Sequence, residues 1–183
     1  MDEGLDTGDI LLQEETPINR EDTGGSLHDR LAVMGADLLI KTLDGIEKGT
    51  IKRIKQDDSI SNYVGMLNKT HGHIDFNKSA KDIELLIRGL NPWPSAYTSL
   101  GNKGFKIWKA DVIERGSEDN RVTKEKFDAK CGEVVYVDKK SLLVCTKDGI
   151  LDMQEVQLEG KKRMLIEDFL RGFNINVGEM LGE

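Results

Sequence analysis

The sequence predicts an α+β fold, helical in its first half and strand-rich in its second. Three observations carry this. Ile83, Leu86, Ile87 and Leu90 recur at i, i+3, i+4 and i+7, the spacing of one helix face. Asn91-Pro92-Trp93-Pro94 then ends the helix at about Leu90, because a residue that precedes proline is pushed out of the α region. Beyond this corner apolar residues alternate in short runs separated by turn residues, the pattern of strands. Trp93, between two prolines, has little backbone freedom left to lose on ordering. It is expected to anchor the corner against neighbouring elements, with contact to a ligand as the alternative.

In chain order, Met1 to Asp9 is an acidic loop with two glycines, and Ile10 to Glu15 reads as a strand ended by Pro17. One strand cannot make a sheet, so the start of its domain is expected to be missing. Asp22-Thr23-Gly24-Gly25-Ser26 supplies helix-start chemistry, with Thr23 or Ser26 as N-cap. Leu27, Leu31, Met34, Leu38, Leu39 and Leu43 then form an apolar stripe running to the stop signals Gly45 and Gly49, and Gly35 could split or bend it. His28 lies beside the stripe and reads as a partly exposed surface histidine.

Residues from about Gly49 to Asp75 have the composition of a linker, with a cationic cluster at Lys52, Arg53 and Lys55 beside Asp57 and Asp58. Those cations read either as solvated charge or as contacts to RNA phosphates. His71-Gly72-His73 has no Cys or further His nearby to complete a metal set. Ser79 caps the helix from Ala80 to Leu90. Gly101-Asn102-Lys103-Gly104 joins the strands Ala96 to Leu100 and Phe105 to Ala110 as a hairpin. In the second of these strands the alternation places Phe105, Ile107 and Lys109 on one side, and Lys106, Trp108 and Ala110 on the other. Gly116 to Asp128 is charged and reads as a mobile loop. Three strands follow, from Glu133, Leu142 and Ile150, and then a closing helix from Leu165 to Arg171 with Phe169 and Leu170 facing the core. Five short strands joined by tight turns and preceded by a helix fit a small open barrel.

The 183 residues could bury one good core or two small ones, and 38% hydrophobic with 32% charged residues is a globular composition. No apolar run reaches the length of a membrane span and no signal pattern opens the chain, so a cytoplasmic protein is expected. Cys131 and Cys145 read as reduced core residues. A net charge of −7 argues against broad, unspecific affinity for nucleic acid but leaves room for a local basic face. Its candidates are Lys103 and Lys106 on the hairpin and the run Lys161-Lys162-Arg163, which reads equally as a solvated turn. Lys109, Lys139, Lys140 and Lys147 are weaker ones.

Two stretches carry a family resemblance. Arg88-Gly89-Leu90-Asn91-Pro92-Trp93-Pro94 resembles the signature that opens the C-terminal domain of the methionyl-tRNA formyltransferase family. Leu5-Asp6-Thr7-Gly8-Asp9 resembles the aspartate loop shared by formyltransferases that use 10-formyltetrahydrofolate, and Asp22 to Leu27 the helix start that follows it. Ile74-Asp75-Phe76 is similar to a family segment that usually carries tryptophan at the third position, and Leu158 to Met164 to its lysine-rich ending. The resemblance implies a Rossmann-like formyltransferase domain, of which residues 1–50 are the C-terminal remnant, a linker at 51–75, and an OB-type barrel at 76–183. It implies Asp6 as a catalytic residue, Gly4, Leu5 and Asp6 as part of the folate site, and methionyl-initiator tRNA as partner of a parent enzyme that is monomeric. No metal is implied.

The resemblance also implies an asparagine and a histidine upstream of the aspartate loop, and neither is present, so the chain alone is expected to be inactive. Two rivals remain open. One is a non-catalytic tRNA-binding remnant, and the other is a formyltransferase acting on a nucleotide sugar.

Overall fold

Helix α1 (Gly24–Glu47) starts at a closed capping box, in which the Ser26 amide donates to Thr23 Oγ1 at 3.1 Å and the Thr23 amide to Ser26 Oγ at 2.9 Å. The computed structural model describes residues 3–62 and 64–182; Met1 and Asp2 of the expected acidic opening loop lie outside them. The chain divides into two units, Met1–Met66 and Leu67–Glu183.

In the first unit the turn before α1 is locked to it. Arg30 presents both terminal nitrogens to Asp22, at 2.9 and 2.8 Å, and one of them also reaches the Pro17 carbonyl at 2.8 Å. The Arg30 hydrogen bond, helped by the Asn19 amide, holds the Asp22 carboxyl well below the usual carboxylate range. Gly35 neither splits nor ends the helix. Leu31, Leu39 and Leu43 on the apolar stripe stand 47%, 58% and 58% exposed. The strand expected at Ile10 to Glu15 is absent. Only Ile10 pairs, in an antiparallel bridge to Ile54 closed at 2.8 and 2.9 Å. Among the described residues nothing offers the segment a longer edge.

The second unit is built on an antiparallel sheet of β1 (Ala96–Leu100), β2 (Lys103–Glu114), β3 (Val134–Val137), β4 (Leu142–Cys145), β5 (Gly149–Leu158) and β6 (Met164–Leu165). Its order is β1-β2-β5-β4-β3, with β6 on β5, so one short strand adds to the five expected. The edge strands β1 and β3 do not pair with each other. The C-terminal segment bonds to both sides instead, with Gly182 N donating to Ser99 O at 3.0 Å, Leu181 N to Gly132 O at 2.9 Å and Val134 N to Glu179 O at 2.8 Å.

The alternation expected along β2 fails at one place, for a definite reason. The register against β5 slips on both sides of Lys109, a bulge that turns Ala110 onto the buried side with Phe105 and Ile107. Helix α2 (Ala80–Gly89) covers one face of the sheet through Ala80, Ile83 and Ile87. Ser79 caps it, accepting from the Asp82 amide at 2.9 Å, and Asp148 accepts from the Ala80 amide at 3.0 Å. Gly149 permits the close approach, since a Cβ there would stand 2.9 Å from Ala80 Cβ. Helix α3 (Ile166–Gly172) buries Phe169 between Phe105 and Phe173, at ring separations of 5.3 and 4.7 Å.

Two further expectations are corrected. Trp93 is 58% exposed and does not anchor its corner. Pro94, Ser95 and Ala96 are buried there instead, with Ser95 N donating to Leu90 O at 2.9 Å and Asn91 Nδ2 to Trp108 O at 3.1 Å. The stretch from Gly116 to Asp128 is structured, not a free loop. It ends in a 3-10 turn, Lys124–Asp128, that buries Phe127, and Arg121 within it binds Asp119 at 2.7 Å and Asp152 of β5 at 2.8 Å. Both cysteines are free thiols, Cys145 buried and Cys131 half-buried.

Candidate functional site

Two places gather the expected site residues, one in each unit. In the first, Gly4, Leu5 and Asp6 form an exposed turn closed by Thr7 Oγ1 donating to Gly4 O at 3.2 Å. Asp6 has φ +57, in the left-handed region that aspartate tolerates better than most residues. The turn opens on a cleft of about 740 Å³ that includes Asp6, Gly8, Asp9, Ile10, Arg53 and Gln56 in its lining. Lys52, Arg53 and Lys55 are all exposed, and Arg53 alone of the three lines the cleft. The segment that carries them is held to the aspartate loop by the Ile10–Ile54 bridge and by Gln56, whose Nε2 donates to Asp6 O at 2.8 Å and Gly8 O at 2.7 Å.

In the second unit Lys103, Lys106, Lys161, Lys162 and Arg163 share one end of the sheet. The hairpin turn and the β5–β6 turn are tied there, Gly104 N donating to Glu159 Oε2 at 3.0 Å and Glu159 N to Gly104 O at 2.8 Å. At the centre of this face lies Trp108. The Lys106 ammonium is 5.5 Å and the Arg163 guanidinium 4.9 Å from its ring centre. Its Nε1 donates to Gln157 Oε1 at 3.2 Å, and Gln157 Nε2 donates to Lys161 O at 2.9 Å. Arg163 also pairs with Glu155. The result is an indole held by two cations on a basic edge, a surface suited to phosphate and to a flat ring.

The histidines form no site with these groups. His28 is on the outer surface of α1 beside Asp29. His71 Nδ1 accepts from the Asn68 amide at 3.0 Å, closing a local cap, and the His73 ring meets Tyr97 edge-on at 5.6 Å. Among the described residues no group of three or more His, Cys, Asp or Glu could hold a metal ion. No helix among them is long and apolar enough to cross a membrane.

Sequence reasoning missed two residues of these places. Gln56 gives no local signal, because its partners are 48 and 50 residues away. Trp108 was legible as the outward residue of an alternating strand with lysine two positions before it, a pattern that marks an aromatic on a basic face.

Comparison with known proteins identifies the family. A family model described as formyl transferase, C-terminal domain, matches residues 66–174, and one described as formyl transferase matches residues 1–43. The methionyl-tRNA formyltransferase of Lachnospira eligens is 55% identical over the whole chain, which covers 56% of that protein. That of Alkaliphilus oremlandii is 45% identical, with 100% and 56% of the two chains covered. The chain thus spans about half the length of the curated relatives it matches.

Among solved structures, HypX from Aquifex aeolicus in complex with tetrahydrofolic acid superposes with a TM-score of 0.60 at 15% identity, covering 97% of this chain and 32% of that one. The N-formyltransferase from Helicobacter canadensis in complex with folinic acid and dTDP-3-aminofucose gives 0.59 at 23%, covering 84% and 52%. The chain belongs to the formyl transferase family and is similar along its whole length to that family's methionyl-tRNA formyltransferases.

Proposed function

We propose that this chain is the C-terminal part of a methionyl-tRNA formyltransferase, which moves the formyl group of 10-formyltetrahydrofolate onto the α-amino group of methionyl-initiator tRNA in translation initiation. The observation that carries the reading is 55% identity to a protein of that name across all 183 residues. Its parts are the end of the catalytic domain at 1–50, a linker at 51–75 and a tRNA-binding domain at 76–183. The enzyme acts as a monomer in the cytoplasm.

The cleft beside Asp6 fits a pterin. At about 740 Å³ it lies within the usual size of small-molecule sites, and Ile10, Leu11 and Leu12 give it an apolar wall beside Asp6, Gly8 and Asp9. The folate supplies the formyl carbon. Attack by the tRNA amine would form the new C–N bond and leave the amine nitrogen a proton to lose, while the formyl carbon's bond to the folate nitrogen breaks and tetrahydrofolate leaves with that nitrogen protonated. Asp6, exposed at the mouth of the cleft, is the chain's carboxylate for that task, orienting an imidazolium and passing the proton through water. The histidine and asparagine of the family set belong to the N-terminal part.

The acceptor is held by cations. Lys52, Arg53 and Lys55 serve the approach to the catalytic loop, and Lys103, Lys106, Lys161, Lys162 and Arg163 serve the sheet face around Trp108. Short antiparallel strands whose two edges both bond to the terminal segment support an OB-type barrel, an architecture that binds nucleic acid on its open face.

The test joins the 183-residue chain to the N-terminal part of the Lachnospira eligens relative and offers the product methionyl-initiator tRNA and a dTDP-linked amino sugar. Formylation of the tRNA and not the sugar is expected. Preference for the sugar would overturn the reading.

A further inference from the structure

Gln56 spends its side-chain amide on the aspartate loop. The Nε2 group bridges two carbonyls, 2.8 Å to Asp6 O and 2.7 Å to Gly8 O, which bracket Thr7. Both amide hydrogens are therefore used. Asp6 itself is left-handed at φ +57, and in that conformation the plane of the peptide after Asp6 and the direction of its Cα–Cβ bond are set together. Fixing the Asp6 carbonyl therefore fixes the Cα–Cβ direction from which the carboxylate projects.

Two further anchors hold residues 4–10 among the described residues. Thr7 Oγ1 closes the loop locally on Gly4, and the next anchor is the Ile10–Ile54 bridge. That bridge also seats the segment from which Gln56 reaches, so the bridge sets the segment's place and Gln56 sets the loop's conformation. Length and charge both matter. Asparagine would fall one methylene short, and a carboxylate would set oxygen against two carbonyl oxygens.

We infer that Gln56 is a positioning residue that aims the Asp6 carboxylate by clamping the carbonyls of Asp6 and Gly8. The inference rests on Asp6 being the catalytic carboxylate proposed above. Because Gln56 and the loop are exposed, the clamp contributes little to global stability and acts on geometry. A misplacement of about 1 Å at a reacting group can cost on the order of a hundred-fold in rate.

Two measurements test it. In the 183-residue chain, Gln56→Ala should speed amide hydrogen exchange at residues 5–10 and leave α1 and the second unit unchanged; unaltered loop rates would overturn the clamp. In the chain joined to the N-terminal part of its relative, Gln56→Ala should lower kcat about ten- to hundred-fold, with KM for folate changed less than about two-fold. Gln56→Glu should regain part of its kcat, relative to the parent, as pH falls toward about 5 and the acid becomes a donor, while Gln56→Ala stays flat.

A native kcat in Gln56→Ala, or the same flat profile in both variants, would overturn the inference. The underlying reading fails differently. Asp6→Asn with native kcat removes both the function and this role, whereas an inactive Asp6→Asn beside a native Gln56→Ala removes only the role of Gln56.

Discussion

Replacing Arg121 by methionine should destabilise the second unit by about 3 kcal/mol at neutral pH, and the loss should shrink in acid. Arg121 is the partner of Asp152, at 2.8 Å, and of Asp119, at 2.7 Å, and its Nη1 donates to Ser141 Oγ at 3.0 Å. The Asp152 side chain is only 11% exposed. Removing one partner of a buried pair costs about 3–5 kcal/mol, because a charge is left without compensation. Arg121 is itself 27% exposed, so water reaches the site and the lower end applies.

The pH sign follows from Asp152. Burial pushes its carboxyl above the ordinary 3.8, Asp111 and Asp119 add to that, and Arg121 opposes it. Without Arg121 the folded-state value rises further. A carboxyl whose folded value is raised gives full stability below the unfolded value, and that stability is lost as pH rises through the folded one. The deficit of Arg121→Met should therefore be largest at neutral pH and fade as pH falls toward 3.8. In urea, with a slope of about 1.5 kcal/mol per molar, the midpoint should drop by about 2 M at pH 7. Asp152→Leu on top of Arg121→Met should recover most of the loss. A single variant within about 0.5 kcal/mol of the parent, or a deficit that grows in acid, would refute the reasoning.

Phe169→Ala should cost about 3–5 kcal/mol in the same titration, since the ring is fully buried, stacked on Phe173 and tilted against Phe105. Burial pushes the Cys145 thiol up to about 11, so at pH 8 iodoacetamide should label half-buried Cys131 well before Cys145, as read by peptide mass; equal labelling would contradict the packing around β4. Lys106→Gln and Arg163→Gln should each reduce the slope of log affinity for initiator tRNA against log salt by about one, and an unchanged slope would remove the Trp108 face from the tRNA site.

What could be read in advance was local. Gly101 to Gly104 is a turn whatever surrounds it, and β1 and β2 pair across it as its chemistry requires. Ser79 and Thr23 cap helices because their hydroxyls meet amides three residues on. The expectations that failed depend on partners far along the chain. Ile10 to Glu15 has the composition of a strand, but a strand needs an edge, and among the described residues only Ile54 supplies one. The charged run after Gly116 looked mobile because Asp152, which orders Arg121, lies 31 positions beyond it. Trp93 was expected inward because two prolines stiffen the backbone beneath a large ring, yet the corner closes through Pro94, Ser95 and Ala96 and leaves the ring outside. The aspartate loop was visible as a motif, while the Gln56 clamp on it appears only when residues 48 and 50 apart come together.

The most direct measurement is the turnover of Asp6→Asn in the chain joined to the N-terminal part of its Lachnospira eligens relative, with methionyl-initiator tRNA and 10-formyltetrahydrofolate saturating. Asparagine keeps the shape and the left-handed turn but cannot take a proton. The account predicts a fall in kcat of about a thousand-fold with tRNA affinity preserved. A kcat within two-fold of the parent would contradict it.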